Sequence, residues 1–236
     1  ERYTWRRIIS VLENHRGRKD LSLIPPLTGL GNSYLYISLP DVNYFQPTSN
    51  TTGEVYLKRA LRIAEENPRS TWQTKSQAMV SLADYYILTD KPSRAERLYR
   101  DAWEVLSSDS ENVADRQSEL QTMQVLQDVR PPKFYGVADG VVSPGSLGNF
   151  ETGTVVFQYS VSSRGKPVNI TLIEAKPAGL EEMERTVARE LRRIVQRPRI
   201  VDGEAVQTDN LTYTHNFYYR ESDLPESLTA ADATNE

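Results

Sequence analysis

The sequence predicts an α+β protein in which an all-helical first half precedes a small domain of two strands, a helix and a third strand. Apolar residues recur at helical spacing across residues 70–107, whereas they alternate with polar residues across 153–161, the pattern of a half-buried strand. Between these segments, residues 129–150 contain three prolines and four glycines, a composition that excludes a regular helix. We therefore predict a helical domain over residues 1–128, a connector over 129–150, a strand-containing domain over 151–221 and an acidic flexible tail over 222–236.

The clearest helical feature is an antiparallel pair predicted over residues 70–89 and 93–106. Both segments carry aromatic and aliphatic residues on one face, and a proline-containing turn separates them. Ser93 is followed three residues later by Glu96, which matches the capping box at the start of many helices. We therefore predict Ser93 as the N-cap of the second helix in a helical hairpin.

A second helical pair is predicted upstream of the first. Residues 30–35 and 56–61 parallel segments of the two downstream helices, and residues 41–50 have the composition of a loop inserted between them. Residues 111–127 are interpreted as the first helix of an incomplete further unit or as a capping helix. The first half is thus expected to be helical up to about residue 127, with no strand.

The small residues at the predicted helix crossings, together with the spacing of tyrosine and alanine across residues 83–102, resemble tetratricopeptide repeats. The resemblance implies stacked helix pairs whose concave face binds extended segments or partner helices. Tyr34, Tyr85 and Tyr86 are candidates for that face. The alternative is that these aromatic side chains pack between the helices.

The second half is predicted from its alternation, its turns and one amphipathic stretch. Residues 153–161 form a strand, residues 163–166 turn the chain, and residues 168–174 form a second strand. Arg197-Pro198 ends the following helix, because proline disfavours helical geometry in the residue before it. Asp202-Gly203 then forms a turn, and residues 211–220 form the last strand. The helix is identified by its apolar positions, namely Leu180, Met183, Val187, Leu191, Ile194 and Val195.

The order of special residues in this half resembles that of the C-terminal domain of TonB. Gly153, the turn residue Gly165, Pro177 after the second strand, and Arg197-Pro198 ahead of an Asp-Gly turn occur in sequence. The resemblance covers residues 151–220, although the Tyr-Pro that usually precedes the first strand in this family is matched only loosely. It implies a periplasmic arm that contacts outer-membrane transporters.

In the TonB family, the last strand recruits a short segment of the transporter, the TonB box, as an added strand. A three-stranded sheet leaves unpaired N–H and C=O groups on its outer strands, which suits this mode of binding. The alternative is a strand that serves only the fold or is covered by the acidic tail. The positions implied as partner-binding are Thr212, Tyr213, Thr214, His215, Asn216, Phe217 and Tyr218.

The charge of the chain argues against nucleic acid as a partner. The net charge is −4, with 28 Lys and Arg against 32 Asp and Glu, so no general attraction to nucleic acid or to an anionic membrane is expected. Arginines between residues 185 and 199 follow glutamates at the start of the same predicted helix, an order that the helix dipole favours. We interpret them as a solvated face.

The composition also predicts no cofactor, no metal site and no catalytic residue. The chain has no cysteine and only two histidines, His15 and His215, and neither lies in a catalytic or metal-binding motif. No apolar run approaches the roughly 18 residues needed to span a bilayer. The start at Glu1 does not resemble a signal peptide, which leaves open a leader or anchor upstream.

Together these features predict a periplasmic protein-protein interaction adaptor of the bacterial envelope. In the leading version it is a TonB-like energy transducer or accessory protein that engages an outer-membrane transporter or an inner-membrane energising complex. One alternative is a repeat scaffold for assembly of surface machinery, with the TonB-like fold used only for docking. The other is an enzyme with a dispersed site, which the absence of any catalytic motif disfavours.

Overall fold

The chain folds into two structural units, and each unit is formed by two separate segments of the sequence. The computed structural model describes residues 1–39, 42–45, 52–108, 113–137 and 150–225. The first unit, here called the helical unit, comprises residues 1–126 and 197–206. The second, the sheet unit, comprises residues 127–196 and 207–236. The mixture of helix and sheet confirms the α+β class.

The elements follow one another in a defined order. The helices are α1 (Arg2–Arg16), α2 (Ile24–Ser33), α3 (Thr52–Glu66), α4 (Trp72–Leu88), α5 (Pro92–Ser107), α6 (Val113–Gln121) and α7 (Glu181–Leu191). The strands are β1 (Tyr36–Leu39), β2 (Val42–Phe45), β3 (Gln124–Gln127), β4 (Glu151–Val161), β5 (Pro167–Lys176), β6 (Val195–Arg197), β7 (Arg199–Val201), β8 (Glu204–Val206) and β9 (Thr208–Tyr219). Short 3-10 turns cover Leu21–Leu23 and Glu221–Asp223.

The predicted helical hairpin is present as α4 and α5. The Thr71 side chain caps α4 by accepting a hydrogen bond from the backbone N–H of Thr74 at 3.3 Å. The capping box predicted at Ser93 is wrong, since α5 begins at Pro92 and has no side-chain cap. Proline suits the first helical position because its missing N–H would have had no intrahelical partner there.

The upstream pair, α2 and α3, crosses at two glycines. A Cβ at Gly31 would lie 2.7 Å from Leu57 Cγ, and a Cβ at Gly53 would lie 2.6 Å from the carbonyl oxygen of Gly31. The helix backbones therefore approach more closely than an alanine would allow. Helix α1 covers this pair, and the shared core is formed by Ile9, Leu23, Leu27, Leu30, Ala60 and Ile63.

The expectation of a strand-free first half is wrong. Strands β1 and β2 pair antiparallel, from Tyr36↔Phe45 to Leu39↔Val42, partly within the predicted loop insertion. Strand β3 occupies the end of the segment predicted as helix over residues 111–127. Aromatic and β-branched residues concentrate in β1 and β2, and their strand propensity outweighs the helical spacing around them. The remainder of the predicted insertion lies outside the described residues, and the assignment to tetratricopeptide repeats stays a prediction.

The sheet unit contains the predicted order of strand, strand, helix and strand. Its three-stranded sheet has the order β5-β4-β9 with antiparallel pairing throughout. Helix α7 contacts β5 and buries Met183, Val187 and Leu191. The core is completed by the alternate residues of the strands, namely Val155, Phe157, Tyr159, Val161 and Phe217.

Helix α7 is shorter than predicted. It ends at Leu191, so Ile194 and Val195 lie beyond it, and the extended β6 begins at Val195. Both residues are nonetheless buried, at 3% and 2% exposure. Both residues are apolar because they are buried in the segment that follows the helix. The spacing of apolar residues alone does not distinguish such a segment from the buried face of a helix.

The predicted Asp202-Gly203 turn joins β7 to β8. Both residues have positive φ, 52° and 79°, as a tight hairpin turn with this sequence requires. The domain prediction assigned this hairpin to residues 151–221, whereas the structure groups residues 197–206 with the helical unit. A boundary drawn at the connector therefore does not separate the two units.

Arg197 binds the hairpin segment to the helices within the helical unit. Its guanidinium donates two hydrogen bonds to Asp84 of α4, from Nε to Oδ1 at 2.8 Å and from Nη2 to Oδ2 at 2.5 Å. The hydroxyl of Tyr99 on α5 donates to the same carboxylate at 2.7 Å. Arg197 is only 4% exposed. This is a bidentate ion pair removed from water, in which each partner depends on the other.

Candidate protein-interaction edge

The three-stranded sheet has two outer strands, β5 and β9, and β9 was predicted to bind a partner. Its pairing with β4 is continuous from Glu151↔Tyr219 to Tyr159↔Leu211, and the first irregularity comes after Tyr159. Such a regular strand keeps its outward N–H and C=O groups in line, which an added strand requires.

The predicted partner-binding residues divide between the two faces of β9. Phe217 is 1% exposed and belongs to the core, while Tyr213 and His215 on the same face are half-buried. The alternate residues point their side chains to solvent. These exposed positions are Thr212, Thr214, Asn216 and Tyr218.

The chain itself occupies the outer edge of β9 at Tyr218. The backbone N–H of Tyr218 donates to the carbonyl of Lys133 at 2.7 Å, and the N–H of Tyr135 donates to the carbonyl of Tyr218 at 2.8 Å. The ring of Phe134 stacks on that of Tyr218 with centroids 5.3 Å apart. The backbone of Tyr218 is therefore bonded within the chain, and the implied role of this residue in partner binding stays a prediction.

His215 is held by the same segment. Its Nε2 lies 2.9 Å from the carbonyl oxygen of Pro132. Pro131-Pro132 and the nearby aromatic residues Phe134 and Tyr135 mark this segment in the sequence, but no local pattern indicates that it returns to the last strand. His215 thus has a structural contact on the inner face.

The outer edge of β9 between Thr212 and Asn216 differs from its edge at Tyr218. Because the backbone groups of Tyr218 face away from β4, alternation places those of Asn216, Thr214 and Thr212 on the same outer side. Within the described part of the chain, β4 is the only strand paired with β9, and no turn or loop backbone bonds to these three residues. Each of the three therefore has one backbone donor and one acceptor with no assigned backbone partner among the described residues.

The opposite edge is less suited to strand addition. The register of β5 against β4 shifts twice, once at Ile173 and once near Asn169, which has a φ of 53°. Bulges interrupt the line of backbone groups and twist an edge away from partners. The β9 edge is therefore the more regular of the two outer edges over residues 211–219.

The tyrosines predicted on the helical unit do not form an exposed face together. Tyr85 and Tyr86 are 2% and 4% exposed, which corrects the expectation that they line a recognition surface and favours packing between helices. Tyr34 is half-buried and stacked on Tyr56 at 5.9 Å. Its hydroxyl accepts a hydrogen bond from Arg6 at 2.6 Å.

Tyr86 belongs to a polar network around Glu54, a carboxylate that is 5% exposed. Glu54 accepts hydrogen bonds from the Tyr86 hydroxyl at 2.9 Å and from Lys91 at 3.0 Å, and Lys58 Nζ lies 2.7 Å from it. Burial by itself raises the pKa of Glu54, but hydrogen bonds from Lys58, Lys91 and Tyr86 outweigh burial and lower it to about 2.

The Glu54 network predicts a pH dependence of stability. Because the folded pKa is depressed, its contribution is present above the ordinary carboxyl pKa and is lost as the pH falls from about 5 to about 2. Glu54→Gln should remove on the order of 3 kcal/mol at pH 7 and flatten this part of the profile, measured as urea unfolding against pH. Glu104→Gln, which changes an exposed carboxylate, is the matched control. Parallel profiles for Glu54→Gln and the parent would contradict the assignment.

Within the residues that the structure describes, no group of three or more acidic or histidine side chains is placed to hold a metal ion. In the same residues, no helix combines the length and apolar character needed to cross a membrane.

Comparisons with known proteins give little further identification. No protein-family model and no curated protein sequence matches the chain. Among solved structures, the TonB2 protein from Vibrio anguillarum is 24% identical, over 40% of this chain and 86% of that chain, with a TM-score of 0.25.

Proposed function

We propose that this protein is a periplasmic adaptor of the bacterial envelope that captures an extended segment of a partner protein by strand addition to β9. The observation that carries the proposal is the regular pairing of β9 from Leu211 to Tyr219, with outward backbone groups at Thr212, Thr214 and Asn216. The resemblance of residues 151–220 to TonB C-terminal domains favours the TonB box of an outer-membrane transporter as the segment bound. Energy transduction through an inner-membrane complex is the further role that this partner suggests.

The geometry limits the length of the bound segment. Residues 133–135 occupy the edge at Tyr218, so a partner strand pairs with residues 212–216 and stops there. At about 3.3 Å per residue, this stretch accommodates roughly five residues. So short a ladder supports a transient complex, in which backbone hydrogen bonds supply affinity and the exposed threonines and Asn216 supply selectivity.

Proline at Asn216 tests the docking edge. Asn216→Pro removes an outward N–H and places a ring where the added strand must approach, so binding of a synthetic TonB-box peptide should weaken at least about tenfold. Fluorescence anisotropy of the labelled peptide with the full chain measures the effect. An edge position whose N–H faces outward tolerates proline, and far-ultraviolet circular dichroism verifies that the fold is intact.

Asn216→Ala is the matched control. Both substitutions remove the hydrogen bond between Thr154 Oγ1 and Asn216 Oδ1, which spans 2.9 Å, but alanine keeps the backbone donor. We expect alanine to change peptide affinity by no more than about threefold. Equal binding by the folded proline variant and the parent would rule out β9 as the docking strand.

A further inference from the structure

The helical unit carries a surface groove that the β9 edge does not involve. It has a volume of about 570 Å³ and lies where the first half of α4 meets the second half of α5. Helix α3 contributes one residue, Glu65, to its wall. The other lining residues are Trp72, Lys75, Met79, Asp101, Glu104, Val105 and Ser108.

The rim of this groove is predominantly acidic. Glu65, Asp101 and Glu104 supply three carboxylates against the single ammonium of Lys75. Asp101 and Glu104 are three residues apart on α5, a spacing that places both on one helix face. Within the described part of the chain, none of the three carboxylates takes part in a hydrogen bond or ion pair. Their charge is therefore available to a cationic partner.

The floor of the groove is apolar, and a cationic side chain of the same protein lies beside it. Trp72, Met79 and Val105 supply the apolar surface. The guanidinium carbon of Arg116, on α6, lies 4.8 Å from the centroid of the Trp72 ring. An aromatic face at this distance stabilises a cation through the ring quadrupole. The chain itself thus shows that a guanidinium is accommodated beside this floor.

We propose that the groove binds a basic amphipathic segment of a partner protein. An apolar side chain of that segment packs on the half-buried Trp72 and Val105, and its lysines or arginines pair with Asp101, Glu104 and Glu65. An acidic segment is disfavoured because the three lining carboxylates outnumber the two nearby cations, Lys75 and Arg116. The groove lies on the helical unit, whereas β9 belongs to the sheet unit. Either proposal can therefore fail without affecting the other.

The test uses a synthetic, end-blocked peptide of lysine and leucine at helical spacing, and the full chain. The double variant Asp101→Asn/Glu104→Gln should weaken binding by about three- to tenfold, the combined effect expected for two partly exposed charge pairs. The control double variant, Glu96→Gln/Glu119→Gln, removes the same number of negative charges from residues outside the groove lining. It should change the affinity by less than about twofold.

Carbodiimide crosslinking then locates the peptide, because it joins a peptide lysine directly to a protein carboxylate. We expect crosslinks at Glu65, Asp101 or Glu104, and a peptide with glutamate in place of lysine should not bind. Equal weakening by the two double variants would overturn the proposal by showing unspecific charge attraction. Unchanged affinity in the groove variant, or crosslinks confined to other carboxylates, would also overturn it.

Discussion

Replacing Asp84 by alanine should lower the free energy of unfolding by about 3–5 kcal/mol, the cost of leaving a buried charge without its partner. The affected charge is Arg197, which is 4% exposed and donates two hydrogen bonds to this carboxylate. Tyr99 loses its acceptor at the same time. Urea unfolding followed by circular dichroism measures the loss.

Two further variants separate this effect from an ordinary loss of surface charge. The double variant Asp84→Ala/Arg197→Met removes both charges and should recover more than half of the lost stability, because no ion then stays buried without a counter-ion. Asp101→Ala, which truncates an exposed aspartate of α5, should change stability by no more than about 0.5 kcal/mol. A loss below about 1 kcal/mol for Asp84→Ala, as for an exposed pair, would show that Arg197 does not depend on Asp84.

Truncation of core side chains should have an effect of similar size in each unit. Leu191 is fully buried on α7, and Trp103 on α5 is 9% exposed. Replacing either residue by alanine leaves a cavity in addition to the lost burial, and should cost about 2–5 kcal/mol. Thermal unfolding measures the change, with Ile173→Ala as the control because Ile173 is 59% exposed.

A small shift in melting temperature would contradict this assignment of the cores. If Leu191→Ala or Trp103→Ala melts within a degree or two of the parent, the side chain does not belong to a packed interior. A loss for Ile173→Ala equal to that for Leu191→Ala would likewise show that burial does not set the cost.

Local patterns were sufficient to predict several elements. Helices α4 and α5 follow from apolar spacing over about four turns, and β4 follows from strict alternation. The Asp202-Gly203 turn follows from residues that tolerate positive φ. Each of these signals lies within a short stretch of sequence, so neighbouring residues determine the outcome.

Features that depend on distant residues could not be predicted in this way. Arg197 lies in a segment that follows the α7 helix, and nothing near it indicates that its partner is Asp84, 113 positions earlier. Tyr86 has a polar tip that suits either a surface or a core, and its burial is decided by the hydroxyl contact with Glu54. Such contacts are set by tertiary packing.

The candidate edge of β9 likewise combines a feature that the local sequence predicted with one that depends on distant residues. Alternation along residues 211–220 predicted the strand, and the structure places Thr212, Thr214 and Asn216 outward on it. The backbone bonds between Tyr218 and residues 133 and 135 shorten the usable edge, and they join segments more than 80 positions apart. The sequence therefore located the candidate strand, while the length of its open edge required the structure.

The division of each unit between two chain segments sets an order of events during protein synthesis. Helices α1 to α6 leave the ribosome first, and domains generally begin to fold in the order in which they are made. Asp84 nevertheless precedes Arg197 by 113 residues, so until Arg197 is translated its carboxylate accepts from the Tyr99 hydroxyl and otherwise from water. The helical unit reaches its final form only after residue 206 has been translated, when most of the sheet unit has already emerged. The surface of α4 and α5 that contacts Arg197 in the folded protein is therefore exposed to solvent while the sheet strands are synthesised.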